Sequence, residues 1–451
     1  MQLKRCDKHA HGARGEIASA LATATCALLG TGAPSVVLAQ DIGKWQVDTA
    51  GLYYGESGRV SDLSFNLLAR TQPFEDRYLN LTFSFDSLSG ASPNGAAPSA
   101  STQTFPRPIT LTRTSGGGTV QSGGGAFTVA PGELPVDNSF KDMRYAGSAS
   151  WQRPIGRLGI VDFGGGASVE RDYTHLGLNT HVARDFNDRN TTLSAGVAWA
   201  DDAVEPIGGV PIPFAPLQRS SGLTWTESSS PKHVLDLLLG ATQVVNQHTI
   251  AQFNYSRSQS DGYLTDPYKI VSVVDPVTGD LTPGPTPGVG LYLFENRPSS
   301  RTEQSLFGML KHDFHGNVLD ASYRIMSDDW GIDSHTVDVH FLWRLSADKF
   351  LEPHVRFYSQ TAASFYHTVL FDGQPVPQYA TADYRLGEFD AVTLGLEFGT
   401  KTSAGQFAVR LEVYKQSPKP SPDALVGSLR GLDLTPAMTA VIGQITYKFG
   451  R

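Results

Sequence analysis

The densest run of potential metal ligands in the sequence is SDDWGIDSH, residues 327–335. It contains Asp328, Asp329, Asp333 and His335, and carboxylate oxygens together with one imidazole could hold a divalent cation. The spacing is not that of an EF-hand loop. Because Asp and Gly are also ordinary turn residues, an acidic turn between two strands is the favoured interpretation and the cation site is the alternative. No other cofactor is expected.

A second set of charged residues occupies alternating positions within apolar segments. Successive side chains of a strand point to opposite faces, so these residues would share the face opposite the apolar one. If that face lines a lumen, the charges set a field that selects among solutes. The alternative is that they only hydrate the lumen and pair across neighbouring strands. The candidates are Arg70, Asp142, Arg144, Asp236, Asp320, Arg324, Asp338, His340, Arg344, His354, Arg356, Glu397, Arg410 and Glu412.

Signatures of catalysis are missing from the sequence. There is no G-x-S-x-G element, the usual mark of a serine hydrolase. The glycines of FGGGASVE, residues 163–170, continue an alternating strand and precede no helix, which argues against a phosphate-binding loop. We therefore expect that the protein is not an enzyme, and an outer-membrane hydrolase is the least favoured alternative.

The elements that must position these residues are strands. TTLSAGVAWA places Leu193, Ala195, Val197 and Trp199 on one face, and the same period of two recurs along the chain. Segments of this kind predict about sixteen strands. They begin near Lys44, Val60, Arg77, Lys141, Arg157, His175, Thr191, Val234, Thr249, Thr302, Val318, Ser334, Phe350, Glu388, Gln406 and Met438.

The lengths of the connections predict how the strands are arranged. The five longest follow odd-numbered strands, whereas connections after even-numbered strands are turn-like. Long loops on one rim and short turns on the other are the habit of outer-membrane barrels. The sequence thus predicts an all-β fold, a single transmembrane antiparallel up-and-down barrel with short periplasmic turns and long extracellular loops. The predicted long loops are 89–140, 203–232, 260–300, 361–387 and 417–436.

The N-terminal segment has the features of an export signal. Basic residues precede the run IASALATATCALLG, and VVLAQ offers a cleavage site, which predicts a signal peptide over 1–39 and a barrel domain over 40–451. Cys6 and Cys26, the only cysteines, fall within this leader, so no disulfide is expected afterwards. The formal net charge of −8 argues against a nucleic-acid partner.

The small-residue run DSLSGASPNGA, residues 86–96, opens the longest predicted loop. Pro93 fixes one φ angle and Asn94-Gly95 accepts positive ones, so the run can form a defined bend. We expect this bend to fold toward the lumen mouth and constrict it, and the alternative is a surface loop that lies away from the pore. The constriction candidates are Ser89, Gly90, Ser92, Pro93, Asn94 and Gly95.

Several spaced blocks resemble one bacterial family. They include FKDMRYAGSASWQRPIGR, VERDYTHLGLN, GYLTDPYKIVSVVDPVTG and YATADYRLGEFDA, and the resemblance covers nearly the whole mature chain. The family is catalogued only as domain of unknown function 3570. The resemblance implies an outer-membrane barrel of unsettled activity. Members of that family tend to be encoded near a flavin transferase and a thioredoxin-like protein, which implies a periplasmic redox or flavin-modified partner.

Together these features predict a porin-like channel or transporter for a small polar solute in the bacterial outer membrane. Its partners would be outer-membrane lipids and the barrel-assembly machinery. The alternative is an outer-membrane scaffold that docks the periplasmic redox or flavin-bearing protein.

Overall fold

The alternation in the sequence produces a closed barrel of sixteen antiparallel strands in a computed structural model. The structure describes residues 42–107, 109–113, 119–123, 125–218 and 228–449. The predicted signal segment lies outside the described residues. The barrel strands are β1 (Trp45–Glu56), β2 (Ser61–Phe74), β3 (Arg77–Ser89), β4 (Lys141–Ile155), β5 (Gly159–Val169), β6 (Tyr173–Phe186), β7 (Thr191–Val204), β8 (Ser230–Asn246), β9 (Thr249–Gly262), β10 (Ser300–Phe314), β11 (Asn317–Asp328), β12 (Asp333–Arg344), β13 (Lys349–Gln360), β14 (Phe389–Thr402), β15 (Gly405–Pro418) and β16 (Met438–Phe449).

Each strand pairs with the next along the chain, and β1 closes the ring by pairing with β16, where Gly51 lies opposite Ile445. Closure leaves no barrel strand with an unpaired edge. The strand number and the up-and-down topology confirm the prediction from periodicity. The largest difference in a strand start is at β8, which begins at Ser230 instead of Val234. Those extra residues show no apolar alternation, but the side chain of Lys232 is buried on the inner face.

The two rims of the barrel differ as the loop lengths predict. Every connection after an even-numbered strand is a short turn, such as residues 247–248 between β8 and β9. The long connections all leave odd-numbered strands and therefore lie at the other rim. We name them loop A (90–140), loop B (205–229), loop C (263–299), loop D (361–388) and loop E (419–437).

The outward face of the wall is apolar. On β8, Leu235, Leu237 and Leu239 are 44%, 46% and 57% exposed, and Phe253 on the adjacent β9 is 66% exposed. Some exposed aromatic side chains, such as Trp45, Trp343 and Phe449, lie at strand ends. An apolar band with aromatic side chains at its edges is what a barrel presents to lipid. No helix among the described residues is long and apolar enough to cross a membrane.

The main hydrophobic cores lie in the long loops, not within the wall. Loops A and C meet around Phe105 and Tyr292, and loops C and D meet around Val271 and Leu370, all of which are buried. A short sheet joins Ile270–Val274 to Tyr292–Phe294 and to Leu370–Phe371. We call the described residues of loops A to E the cap, because they pack into one body at the long-loop rim.

The cap is anchored to several parts of that rim. The hydroxyl of Tyr268 in loop C donates to the carboxylate of Asp172, between β5 and β6, at 2.6 Å. Gln360, at the end of β13, donates to the carbonyl of Gly387 in loop D at 2.8 Å. Arg59, between β1 and β2, donates to the carbonyl oxygen of Pro436 in loop E. The cap therefore contacts the ring at separated strands.

Candidate functional site

The candidate site is a cluster of charged side chains on the inner face of β12 to β15. Asp338 and His340 lie two residues apart on β12, and His354 on β13 stands directly opposite His340. Glu397 on β14 faces Arg410 on β15. Antiparallel pairing brings directly opposed side chains to about 5 Å at their Cβ atoms, which is why these groups interact.

Gly395 joins the two halves of the cluster. It pairs with His354 on one side and with Glu412 on the other. A Cβ at Gly395 would lie 2.8 Å from Cγ of Glu412. The missing side chain leaves room for Glu412 to lean across β14, and its Oε1 lies 2.9 Å from Nδ1 of His354.

The two histidines converge on one carboxylate oxygen. Nε2 of His340 lies 3.0 Å from Oδ1 of Asp338, and Nε2 of His354 lies 3.5 Å from the same atom. The opposite nitrogen of His340, Nδ1, lies 3.1 Å from Oε1 of Glu352. The two imidazole rings are stacked, with centroids 4.0 Å apart and 8° between their planes.

Arg410 is the central cation of this cluster. Its Nη2 lies 2.6 Å from Glu397, and the guanidinium also reaches Glu412 at 3.9 Å and Glu352 at 4.0 Å. The side chain of Asp338 remains 25% exposed, so the lumen at this level still has room for water or a solute.

The other lumen candidates are distributed around the wall. Asp320 pairs with Lys311 at 3.0 Å. Nearer the long-loop rim, Arg144 lies 3.4 Å from Glu170. Carboxylate oxygens of Asp142, Glu170 and Asp172 lie within 4.8 Å of one another.

Two further candidates, Arg70 and Arg324, lie over aromatic rings, 4.4 Å and 5.8 Å from the ring centroids. Asp236 is buried on the inner face of β8. Arg344 is the last residue of β12 and lies exposed at the short-turn rim.

The residues of the SDDWGIDSH run do not gather into a metal site. The carboxylate of Asp328 accepts hydrogen bonds from the backbone N–H groups of Trp330 and Ile332 and pairs with Arg301. Asp329 accepts the backbone N–H of Thr302. These carboxylates shape the tight connection between β11 and β12, which agrees with the acidic-turn interpretation.

The remaining two residues of that run point elsewhere. Asp333 begins β12 and is exposed. His335 stacks on the ring of Tyr323, and its Nδ1 lies 2.8 Å from the tyrosine hydroxyl. Among the residues that the structure describes, the groups close enough to share an ion lie elsewhere.

The small-residue run is docked into the cap. Nζ of Lys269 donates to Oγ of Ser92 at 2.7 Å and to the carbonyl of Pro93. The carbonyl of Asn94 accepts the N–H of Ile270, which ties the run to the short sheet of the cap. Ser89 ends β3, and the N–H of Gly90 donates to the carbonyl of Phe140 at the far end of loop A. The constriction of a pore by these residues stays a prediction.

Gly95 makes that docking possible, and replacing it should loosen the cap. Its φ is +94°, and a Cβ there would lie 2.4 Å from the carbonyl oxygen of Ile270. We expect Gly95→Ala to destabilise the cap by at least about 1 kcal/mol and to speed cleavage of loop A by an added protease. Gly431→Ala is the matched control, because a Cβ at Gly431 meets nothing within 4 Å. Equal cleavage rates in the two variants would contradict this role.

A buried ionic network holds loops C and D together. Arg297 lies 2.6 Å from Glu295 and 2.9 Å from Asp383. Arg385 lies 2.5 Å from Asp383 and 2.7 Å from Asp266. Thr381 donates its hydroxyl hydrogen to Glu295. We call this set, together with Lys269, the cap network.

Two carboxylates of the cap network, those of Asp266 and Asp383, are held ionised by their neighbours, whereas burial raises the pKa of the third, Glu295. Burial alone would raise the pKa of the Asp383 carboxyl, but the charges of Arg385, Lys269 and Arg297 outweigh it and hold that pKa well below its usual range. Burial likewise opposes ionisation of Asp266, and Lys269 and Arg385 again lower its pKa. The charges therefore hold one another in place, as paired buried ions must.

Sequence reasoning missed the cap network and Glu352. Glu352 lies two residues before His354 on the same strand face, so the alternation could have included it. The network lies in loops that have no period. Its only signal was that Asp266, Lys269, Asp383 and Arg385 fall within the blocks that carry the family resemblance.

The family comparison covers nearly the whole chain. A family model described as "Protein of unknown function (DUF3570)" matches residues 18–449. No curated protein matches the sequence.

Solved structures with a similar fold are outer-membrane proteins. A ferric enterobactin receptor mutant from Pseudomonas aeruginosa is 9% identical, with a TM-score of 0.43 over 84% of this chain and 54% of that one. A siderophore receptor from Acinetobacter baumannii is 8% identical, with a TM-score of 0.41 over 83% and 53%. A bacterial polysaccharide outer membrane secretin is 10% identical, with a TM-score of 0.41 over 90% and 98%. The chain spans about half the length of the two receptors, and what they bind says nothing of this barrel.

Proposed function

The chain belongs to the DUF3570 family of proteins of unknown function, and we propose that it is a gated outer-membrane conduit for a small polar solute. The observation that carries the proposal is the contrast between the two faces of the wall. Apolar side chains such as Leu237 face outward, whereas the inner face carries the charged cluster around Arg410. A barrel with a lipid-facing exterior and an ionic interior is suited to passing polar solutes through a membrane.

The orientation follows from the rims. β1 begins and β16 ends at the short-turn rim, which in bacterial outer-membrane barrels faces the periplasm. The cap would then lie on the outer side. From its buried core and its anchoring to separated strands we infer that the cap closes the mouth and that the proposed conduit opens when the cap moves.

The direct test is conductance of the purified protein in planar bilayers. We expect discrete, infrequent openings. In the presence of a chelator, and at a pH at which His340 and His354 are neutral, they should prefer cations, because Asp338, Glu352, Glu397 and Glu412 outnumber the arginines beside them. The double variant Glu352→Gln, Glu397→Gln should lower the cation preference measured from the reversal potential. A wall that stays sealed in every variant would contradict the conduit.

The run at the start of loop A offers a second test of gating. Deleting Ser89 to Gly95 removes Oγ of Ser92 and the carbonyl of Pro93, which both accept hydrogen bonds from Lys269. We expect larger or more frequent openings, because loop A loses one of its attachments to loop C. Unchanged conductance from a correctly folded deletion variant would show that the run is a rim loop only.

A further inference from the structure

We propose that Asp338, His340 and His354 form a binding site for a divalent transition-metal ion on the lumen wall. Their ligand atoms all lie within 4.8 Å of one another. Two imidazole nitrogens and one carboxylate oxygen are a donor set that suits Zn²⁺, Fe²⁺ or Co²⁺ and leaves further positions open for water. The inference does not depend on the passage of a solute through the barrel.

The Nδ1 atoms of both histidines are already engaged by carboxylates. Nδ1–H of His340 donates to Glu352, and Nδ1–H of His354 donates to Glu412. A carboxylate on one ring nitrogen fixes the tautomer and leaves the lone pair of the other nitrogen for a metal, as in carboxylate–histidine–zinc arrangements. Gly395 provides the space that Glu412 needs for this contact.

If both imidazoles are neutral and carry their proton on Nδ1, each Nε2 lone pair faces the carboxylate oxygen of Asp338. Nε2 of His354 is buried and has no hydrogen-bond partner, and the residue as a whole is only 8% exposed. A lone pair aimed at Oδ1 of Asp338 from 3.5 Å is repelled unless a positive charge stands between them. In the same neutral form, Nε2 of His340 would face that oxygen from 3.0 Å.

The charged groups around the three ligands also carry a net charge of −2 when both imidazoles are neutral. Four carboxylates, those of Asp338, Glu352, Glu397 and Glu412, face two permanent cations, Arg356 and Arg410. The next cation along the wall, Lys311, is matched by Asp320. One dication balances the cluster; the competing arrangement is a proton on each of the two imidazoles.

The distances fit an ion after a small movement. Ligand atoms at 2.0–2.1 Å from a tetrahedral ion are about 3.3 Å apart, and the two separations from Oδ1 of Asp338 are 3.0 and 3.5 Å. Because the rings are stacked at 8°, one imidazole must tilt to bring both lone pairs onto one ion. The side chain of His340 keeps 24% of its surface exposed to the lumen, which gives the ion a way in.

The test uses Co²⁺ and Zn²⁺ with the full barrel, purified in detergent after treatment with a chelator. We expect one equivalent of Co²⁺ with a visible d–d spectrum, displaced by Zn²⁺. Asp338→Asn and His354→Gln should weaken binding at least a hundredfold. Glu412→Gln, which removes the carboxylate that supports His354 but no ligand atom, should weaken it about 10–100-fold.

The matched control is His335→Gln, which removes an imidazole from the same strand on the outward face and should leave binding unchanged. Gly395→Ala crowds Glu412 without touching a ligand and should weaken binding as Glu412→Gln does. Absence of Co²⁺ binding by the folded wild-type barrel would show that the histidines carry protons instead. Binding that is equal in wild type, His354→Gln and Glu412→Gln would also overturn the site.

Discussion

Replacing Arg297 with Met should open the cap, whereas replacing Lys419 with Met should leave it closed. The side chain of Arg297 is 5% exposed and faces the buried carboxylates of Glu295 and Asp383. Removing one partner of a buried ion pair leaves an uncompensated charge, at a cost of about 3–5 kcal/mol. Lys419 also pairs with a carboxylate at 2.6 Å, that of Glu388, but both side chains are about half exposed, and exposed pairs contribute about 0–1 kcal/mol.

The readout for this pair of variants is open probability in planar bilayers, with protease cleavage of the cap as a second measurement. Each 1.4 kcal/mol of free energy changes an equilibrium constant about tenfold. The closed-to-open ratio of the cap should therefore fall by about a hundredfold or more in Arg297→Met. The double variant Arg297→Met, Glu295→Gln removes the stranded carboxylate as well and should recover part of the loss. Similar behaviour of Arg297→Met and Lys419→Met would mean that the cap network does not hold the cap closed.

The wall of this barrel could be predicted from the sequence because one physical rule governs each strand. Successive side chains alternate between lipid and lumen, so Leu237 and Asp236 were assigned to opposite faces without knowledge of any contact. Closure adds a second rule, since short turns and long loops must fall on opposite rims. Both rules are local, and strand number and topology follow from them.

The site and the cap depend on contacts that no local rule specifies. Glu412 reaches His354 across the whole of β14, and it can do so only because Gly395 lacks a side chain. Arg297 and Asp383 lie in different loops that have no strand period. The alternative of an ion site at Asp328 followed from composition alone, but backbone N–H groups and Arg301 occupy that carboxylate.

The lipid-facing wall gives the second large effect. Leu237 points outward near the middle of β8, and Leu193 points outward near the short-turn rim on the adjacent β7. In a transmembrane barrel an arginine on the lipid face costs about 2–4 kcal/mol at the midplane and about 0–1 kcal/mol near the interface. We therefore expect Leu237→Arg to lower the free energy of unfolding in lipid vesicles, measured by urea titration, by that larger amount.

Leu193→Arg should lower the free energy of unfolding much less than Leu237→Arg, and this difference is the test of a lipid environment. The two leucines are nearly equally exposed, at 46% and 48%, so in water both replacements would stay within about 0.5 kcal/mol of the wild type. Only hydrocarbon of limited thickness distinguishes them, because an arginine near the rim can extend its guanidinium to the headgroups. Equal losses of unfolding free energy in the two variants would argue against a lipid environment around this barrel. They would therefore also contradict the proposal that the charged lumen conducts a solute between two compartments.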